Sequence, residues 1–362
     1  MTDAGGDDRA ARAIVDGWFA RYPAIAMGAL VPLGAVTPLF PVEVGVATFA
    51  LGTLVVGMAH GAVDHLVPLR AVGVGRTSLR RSVATVSIAY ALLGGAVVAA
   101  FFVAPLAAFV GFVGLTWIHW GQGDVAALVL AGVDHLQSPG ERALTLFVRG
   151  GLPMGVPLVS HPEEYRLVAE WMIGLFAADA TGGAGTTGVT AALDSLFGPS
   201  TRLAVGVVMA VATLLSMALG YRRVRAGADR RGWLRDAGET GVLWAWFLLA
   251  APVFAIGVYF AAWHSLRHVG RLTLLDEESA RRLAEGDVRG ALSRFGRDAA
   301  PLTLGGFLVV GGVGLAVPSG VAAPGDVLAV SLVAIAALTL PHVVVVAWLD
   351  GKQRMWRPGG SN

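Results

Sequence analysis

The chain has 362 residues, of which 55% are hydrophobic and 14% charged, with a formal net charge of +2 and no cysteine. An ordinary globular domain is about one-quarter charged, so this composition argues against a soluble domain and favours a multi-spanning α-helical membrane protein. Without cysteine, disulfides, thiolate metal sites and iron–sulfur clusters are excluded. The near-neutral charge does not indicate a nucleic-acid partner.

Apolar segments recur along the chain at the length of a membrane span. They lie at about 24–40, 43–66, 83–103, 104–121, 143–160, 202–221, 238–266, 301–318 and 326–349, with weaker ones near 125–133 and 166–178. The pattern predicts an all-α polytopic bundle of about eight to ten transmembrane helices. Its predicted organisation is a tail or amphipathic lead-in over 1–22, a membrane-embedded domain over 23–350 and a cytoplasmic tail over 351–362.

The connections between these segments indicate an orientation. Arginine-rich stretches at 70–81, 222–235 and 352–357 are predicted to be cytoplasmic, as expected for a multi-pass protein of the plasma membrane. The Gly/Thr-rich stretch 179–200 is predicted to be a flexible loop on the opposite face. Mixed charges and apolar residues at helical spacing over 275–298 predict an amphipathic surface helix.

Histidines at the ends of apolar segments are the strongest functional signal. "HGAVDH" contains His60, Asp64 and His65. On a helix His60 and Asp64 would share a face, and Asp64 could orient an imidazole ligand from another helix. Either His60 or His65 is the candidate ligand in this motif, and His60 is favoured. Ionisable side chains within membrane segments are costly and usually functional.

Two further motifs add histidines. "WIHWGQGD" places His119 between two tryptophans, with Asp124 close behind, and "WHSLRH" places His264 and His268 one helical turn apart. Imidazole is the commonest metal-ligating side chain. No HExxH motif is present, which argues against a zinc protease. Together these motifs predict a metal site inside a membrane bundle.

Three other histidines are weaker candidates. His135 lies in a polar, turn-like connection and is predicted to be a solvated loop residue. His161 precedes a proline and two glutamates, a pattern typical of a helix start. His342 follows Pro341, and both a place at a helix start and a place in the cavity remain open for it.

Several motifs in this order resemble one known family. They are "HGAVDH", "HWGQGD", "RGGLPMGVPLVSHPEE", "WHSLRH" and "LPHVVVVAWLD", which resemble those of the Brp/Blh family of bacterial and archaeal β-carotene 15,15′-dioxygenases. The resemblance spans roughly residues 50–350. It implies an integral membrane enzyme that cleaves β-carotene at its central double bond with O₂ and yields two molecules of all-trans-retinal, which a microbial rhodopsin can receive.

The resemblance also implies a metal centre. The family's Fe(II) is attributed to four histidines, which by motif are His60, His119, His264 and His268. Asp64, His65 and Asp124 are the candidates for holding these ligands in place. Aromatic side chains near the motifs are predicted to form walls around the polyene, namely Trp117, Trp120, Phe254, Tyr259, Phe260 and Trp263.

Two other functions remain open. A membrane di-iron hydroxylase or desaturase would carry several HxxxH and HxxHH boxes, whereas this chain has 8 histidines, one HxxxH and no HxxHH. A non-catalytic carotenoid or retinal carrier, or an opsin-assembly factor, would keep an aromatic cavity without needing four converging histidines.

Overall fold

The computed structural model describes residues 4–72, 78–177, 184–318 and 320–356, and every regular element within these ranges is helical. In chain order the α-helices are α1 (Ala4–Val15), α2 (Tyr22–Gly34), α3 (Val42–Gly52), α4 (Val67–Val72), α5 (Leu79–Ala89), α6 (Gly95–Val103), α7 (Pro105–Leu130), α8 (Pro139–Ser160), α9 (Pro162–Ala177), α10 (Ala184–Leu196), α11 (Pro199–Arg225), α12 (Arg230–Leu249), α13 (Pro252–Tyr259), α14 (Leu266–Thr273), α15 (Glu277–Ala284), α16 (Val288–Ala316) and α17 (Pro324–Lys352). Single π-helical turns join several of them, at Asp16–Arg21, Thr53–Gly57, Tyr90–Gly94 and Phe260–Ser265.

Five helical stretches are long and apolar enough to cross a membrane. They are Leu79–Val103, Pro139–Ser160, Pro199–Arg225, Val288–Ala316 and Pro324–Lys352. The apolar windows of the first and fourth are only 17% buried, whereas that of Pro139–Ser160 is 67% buried. Leu79–Val103 and Val288–Ala316 therefore lie at the periphery, where apolar side chains face outward, and Pro139–Ser160 is central. With shorter apolar helices such as α3, these features confirm the predicted all-α membrane bundle.

Two predicted membrane segments are interrupted. The segment 43–66 is helical as far as Gly57, continues in turns over 58–63 and ends in a short 3-10 helix at Asp64–Leu66. The segment 238–266 breaks at Ala250, which is extended ahead of Pro252. The hydroxyl of Thr37 accepts a hydrogen bond from the Ala251 N–H at 2.8 Å and satisfies a backbone donor that this break exposes. Irregular backbone within a membrane bundle is tolerated where protein buries it or a cavity adjoins it.

Other predicted boundaries also differ. The helix through the lead-in passes without a break from α1 through a π-helical turn into α2, and α1 packs on α15. The prediction of a loop over 179–200 is mostly wrong, because 184–196 is helical. Residues 178–183 lie outside the described residues.

The stretch 275–298 forms two helices, because Gly286 turns the chain at φ +82° and Asp287 caps the start of α16. Of the predicted tail 351–362, Gly351 and Lys352 end α17, Gln353 and Met355 pack against the bundle, and 357–362 lie outside the described residues.

Two glycines set the closest approach in the centre of the bundle. A Cβ at Gly121 on α7 would lie 2.1 Å from the Leu146 carbonyl oxygen on α8, and one at Gly150 would lie 1.8 Å from the Trp117 carbonyl oxygen. Only glycine permits this helix–helix distance. The segments predicted at 104–121 and 125–133 form one helix, α7, which carries His119 into the interior of the bundle.

Candidate metal centre

Five imidazoles converge inside the bundle. They are His60 in the turns after Gly57, His119 on α7, His264 in the π-helical turn Phe260–Ser265, His268 on α14 and His342 on α17. His119, His264, His268 and His342 are buried, and His60 is partly buried. The four histidines that the family resemblance implies as ligands thus lie together, with a fifth among them.

The distances within this cluster suit ligands of one ion. The Nε2 atoms of His119 and His264 are 3.1 Å apart. Two nitrogens that each bind an ion at about 2.0–2.1 Å in neighbouring positions lie about 3 Å apart. One ligand atom each from His60, His119 and His342 also fall within 4.8 Å of one another, as do atoms from Asp64, His268 and His342.

The hydrogen bonds of the cluster leave ring nitrogens available. The Nδ1 of His60 donates to the Gly57 carbonyl oxygen, so its Nε2 is the nitrogen with a free lone pair. His268 Nε2 and His342 Nε2 are buried without a hydrogen-bond partner, and the Nε2 atoms of His119 and His264 face each other. Buried polar atoms normally have partners, and a bound metal supplies one for imidazole. The donor set therefore fits a divalent transition metal, with nitrogen ligands and no thiolate.

Local backbone geometry brings His264 and His268 to the same place. His264 belongs to the π-helical turn and His268 to the α-helix that continues it. The π-helical turn widens the helix and moves the following side chains around its axis. Such turns are rare and frequently lie at functional sites. His264 and His268, the predicted HxxxH pair, therefore lie on one side of a continuous helix.

The structure separates His60 from His65. The ring of His60 lies 5.0–6.4 Å, centroid to centroid, from the other four rings. Within the described residues, His65 makes no ring contact with the cluster, and its backbone carbonyl accepts a hydrogen bond from the Ser82 hydroxyl. The expected helical face shared by His60 and Asp64 is wrong, because 58–63 form turns. Asp64 nevertheless contacts an imidazole from another helix, as the sequence suggested, with 2.7 Å between Asp64 Oδ2 and His342 Nδ1.

Asp124 does not hold a histidine as the sequence suggested. Its carboxylate accepts hydrogen bonds from the Trp263 indole at 2.9 Å, from Arg267 at 3.1 Å and from Arg149 at 3.3 Å. Arg149 and Arg267 also bind Glu239 of α12. This buried network, referred to below as the arginine–carboxylate network, ties α7, α8, α12 and α14 together beside the histidines.

An apolar cavity of about 510 Å³ adjoins the cluster. His60, His119 and His342 line it, and almost all of its other lining residues are apolar. One face of α17 follows the cavity, through the positions Leu328, Leu332, Ile335, Thr339 and His342. Their alternating spacing of four and three is that of one helical face, so this face leads along the cavity to the histidines.

Only part of the predicted aromatic wall lines this cavity. Trp120 and Phe260 do. Trp117, Phe254, Tyr259 and Trp263 do not, and their assignment as walls is corrected. Trp117 donates to the Phe147 carbonyl oxygen, Phe254 packs on Trp246, and Tyr259 and Trp263 are fully buried and stacked on each other. The cavity wall is mainly aliphatic, and its other aromatic residues lie outside the histidine motifs, namely Phe49, Tyr90, Phe109, Phe112 and Tyr165.

The three histidines that the sequence marked as weaker candidates have different outcomes. His161 precedes α9 with glutamates in its first turn, as predicted. The prediction for His135 is wrong, since it is 1% exposed and bonds to Asp236 at 3.0 Å. The helix-start alternative for His342 is also wrong, since Pro341 lies inside α17. The signal that could have found His342 is the helical spacing from Leu328 onward.

The fold and site define a class, an all-helical membrane protein whose histidine cluster borders an apolar cavity. Residues 51–350 match the family model for beta-carotene 15,15′-dioxygenase. The chain is 41% identical over 346 residues to the "Probable beta-carotene 15,15′-dioxygenase Blh" of Halobacterium salinarum, covering 94% of this chain and 93% of that one. It is 31% identical to the "Probable beta-carotene 15,15′-dioxygenase Brp" of the same organism, covering 87% and 86%. No solved structure matches it significantly. The chain therefore belongs to the beta-carotene 15,15′-dioxygenase family.

Proposed function

We propose that the protein cleaves β-carotene at its central 15,15′ double bond with O₂, at an Fe(II) centre held by His60, His119, His264 and His268. The products are two molecules of all-trans-retinal, and each aldehyde takes one atom of the O₂. The observation that carries this proposal is the convergence of these imidazoles on the wall of an apolar cavity. The names of the relatives support the same reaction.

The roles of the residues follow from their positions. Fe(II), when bound, would activate O₂ for reaction with the polyene. A closed-shell polyene does not react readily with O₂ unaided. His60 and His119 face the cavity directly, so they are the ligands nearest to substrate. Trp120 and Phe260 form its aromatic surface beside the cluster, and Leu332 and Ile335 extend an aliphatic wall. A dry wall aligns the hydrocarbon and excludes water from the reacting bond.

The same geometry bears on the two alternatives. A di-iron enzyme would use more of the 8 histidines, but His65, His135 and His161 lie outside the cluster of five within the described residues. A carrier would need the cavity alone, and it would gain nothing from buried imidazole nitrogens without partners. Both considerations favour one iron and an oxidative reaction.

The proposal includes a location. The five apolar helical stretches are consistent with a multi-pass protein of the plasma membrane, and the lipid bilayer would deliver the hydrocarbon substrate sideways. A microbial rhodopsin in the same membrane would receive the retinal.

Expression in cells that accumulate β-carotene tests the function. Retinal is quantified by chromatography, and iron is measured on the purified protein. We expect retinal from the wild type and at least a hundredfold less from His119→Ala and from His264→Ala, with iron lost. His161→Ala is the matched control, because His161 lies outside the cluster, and it should retain both. No retinal from the wild type, or cleavage unchanged after His264→Ala, would contradict the proposal.

A further inference from the structure

The ring of His342 packs closely against three other rings of the histidine cluster. Its centroid lies 5.0 Å from that of His60, 4.8 Å from that of His119 and 4.9 Å from that of His268. By contrast, His60 and His119 are 6.4 Å apart, and His119 and His268 are 6.3 Å apart. A side chain at this position lies among the ligands and not behind them.

One ring nitrogen of His342 is held by a buried carboxylate. Asp64 is 1% exposed, and its Oδ2 lies 2.7 Å from His342 Nδ1. The Tyr90 hydroxyl donates to the same oxygen at 2.7 Å. Carboxylates that accept the N–H of an imidazole fix its tautomer and its direction, and this arrangement accompanies most metal-bound histidines.

The other ring nitrogen is the one left without a partner. With Nδ1 protonated towards Asp64, the lone pair is on Nε2, which is buried and has no hydrogen bond. Leaving a buried acceptor unpaired is costly. The space for this ring comes from Gly61, where a Cβ would lie 3.1 Å from His342 Nδ1. Because this unpaired nitrogen belongs to a ring packed against three other imidazoles, a metal ion bound by the same cluster is the partner that the position offers.

We infer that His342 is a further ligand of the metal centre, bound through Nε2 and held in place by Asp64 and Tyr90 as positioning residues. This inference rests on the proposed iron site and adds His342 to the four histidines that the family resemblance implies as ligands. His342 and Asp64 are 278 positions apart in the sequence, so only the fold brings them together.

Metal binding tests the inference without reference to turnover. Purified wild type, His342→Gln, Asp64→Asn and Tyr90→Phe are loaded with Fe(II) or Co(II) and exposed to a chelator series. We expect His342→Gln to hold the metal at least about tenfold more weakly, and Asp64→Asn to weaken it about 10–100-fold. Tyr90→Phe should have a smaller effect in the same direction. The visible absorption bands of bound Co(II) should shift in His342→Gln, which a merely structural role would not cause.

The outcomes distinguish this inference from the proposed function. If the wild type binds no metal, the proposed iron centre itself is wrong. If the wild type binds metal and His342→Gln retains both its affinity and its Co(II) spectrum, only the role of His342 is wrong. Tyr90→Phe removes one hydroxyl and keeps the ring, so it remains informative if the other variants fail to fold. Unchanged metal affinity in Tyr90→Phe together with Asp64→Asn would overturn the positioning role.

Discussion

Asp124 and Arg267 form a buried ion pair, with 3.1 Å between Asp124 Oδ1 and Arg267 Nη1. Asp124 follows His119 on α7, and Arg267 directly precedes His268 on α14. The guanidinium of Arg267 also lies 3.9 Å from the centre of the Trp263 ring. The pair therefore fixes the distance between two helices that present imidazoles to the same point.

Removal of Arg267 should affect both stability and metal binding. Arg267→Leu leaves Asp124 and Glu239 buried with fewer cationic partners, and breaking such a pair costs about 3–5 kcal/mol. We expect a lower unfolding temperature in detergent. We also expect a reduced iron content, because α14 loses its contacts with Asp124 and Glu239. Arg281→Leu is the control, since this exposed arginine pairs with Glu278 on the surface and exposed pairs contribute about 0–1 kcal/mol. Equal unfolding temperatures for wild type and Arg267→Leu would contradict the role of the network.

The contact between α7 and α8 should depend on Gly121. Gly121→Ala would force α8 away from α7, because the new methyl group overlaps the Leu146 carbonyl oxygen. We expect a loss of at least about 2 kcal/mol of stability and a lower yield of folded protein. Gly114→Ala on the same helix meets nothing within 4 Å, and should be neutral or slightly stabilising. Similar unfolding temperatures for the two variants would show that the helices are less closely packed than described.

The cavity should control turnover separately from metal binding. Ile335 lines the cavity on α17, about 10 Å along the helix from His342. Ile335→Trp fills this space, so we expect retinal formation to fall at least tenfold while iron content stays at the wild-type level. Val344→Trp on the same helix faces outward, since Val344 is 49% exposed, and should cleave normally. Full activity of Ile335→Trp would place the substrate elsewhere.

The surface connection before α15 should make stability depend on acid pH. Burial alone would raise the pKa of Asp276, but hydrogen bonds from Arg294 and Ser279 and the charge of Arg70 outweigh it and hold the pKa at about 2. A carboxylate with a depressed folded pKa stabilises the protein fully above its unfolded pKa of about 3.9, and this stabilisation is lost as pH falls towards 2. Because Arg294 is partly exposed, the effect is about 1–2 kcal/mol.

Asp276→Asn isolates this contribution, because asparagine keeps the helix cap but cannot ionise. We expect the wild type to be more stable than Asp276→Asn above pH 4, and the difference to close between pH 4 and pH 2. Thermal unfolding across this range measures it. A constant difference at all pH values would mean that the carboxylate charge is not involved.

Sequence patterns predicted the class of fold and the histidines of the motifs, because apolar length and local motifs are written in consecutive residues. His342 was left open because Pro341 suggested a helix start. In the structure Pro341 lies within α17, and Gly94 packs against the Ala337 carbonyl oxygen, which has no N–H partner at Pro341. The proline is therefore tolerated inside the helix because of Gly94, which is distant in sequence.

The sequence also could not identify which residues contact Asp64 and His135. His135 is buried against Asp236 of α12, which is itself bound by Arg149 of α8, whereas its own segment reads as a polar turn between helices. The aromatic residues near the motifs could not be divided into cavity and core, because packing against helices distant in sequence decides which face of α7 and of α13 borders the cavity, and the π-helical turn at Phe260–Ser265 shifts the side chains that follow it. Such shifts have no reliable local signature.

The stoichiometry of the purified reaction tests the central claim most directly. Iron per chain is measured on the wild-type protein, and β-carotene consumed and retinal formed are quantified in the same sample under O₂. The account predicts one iron per chain and two retinal molecules for each β-carotene consumed. Two irons per chain, or products of unequal length in place of retinal, would contradict a single histidine-held centre that cleaves the middle bond.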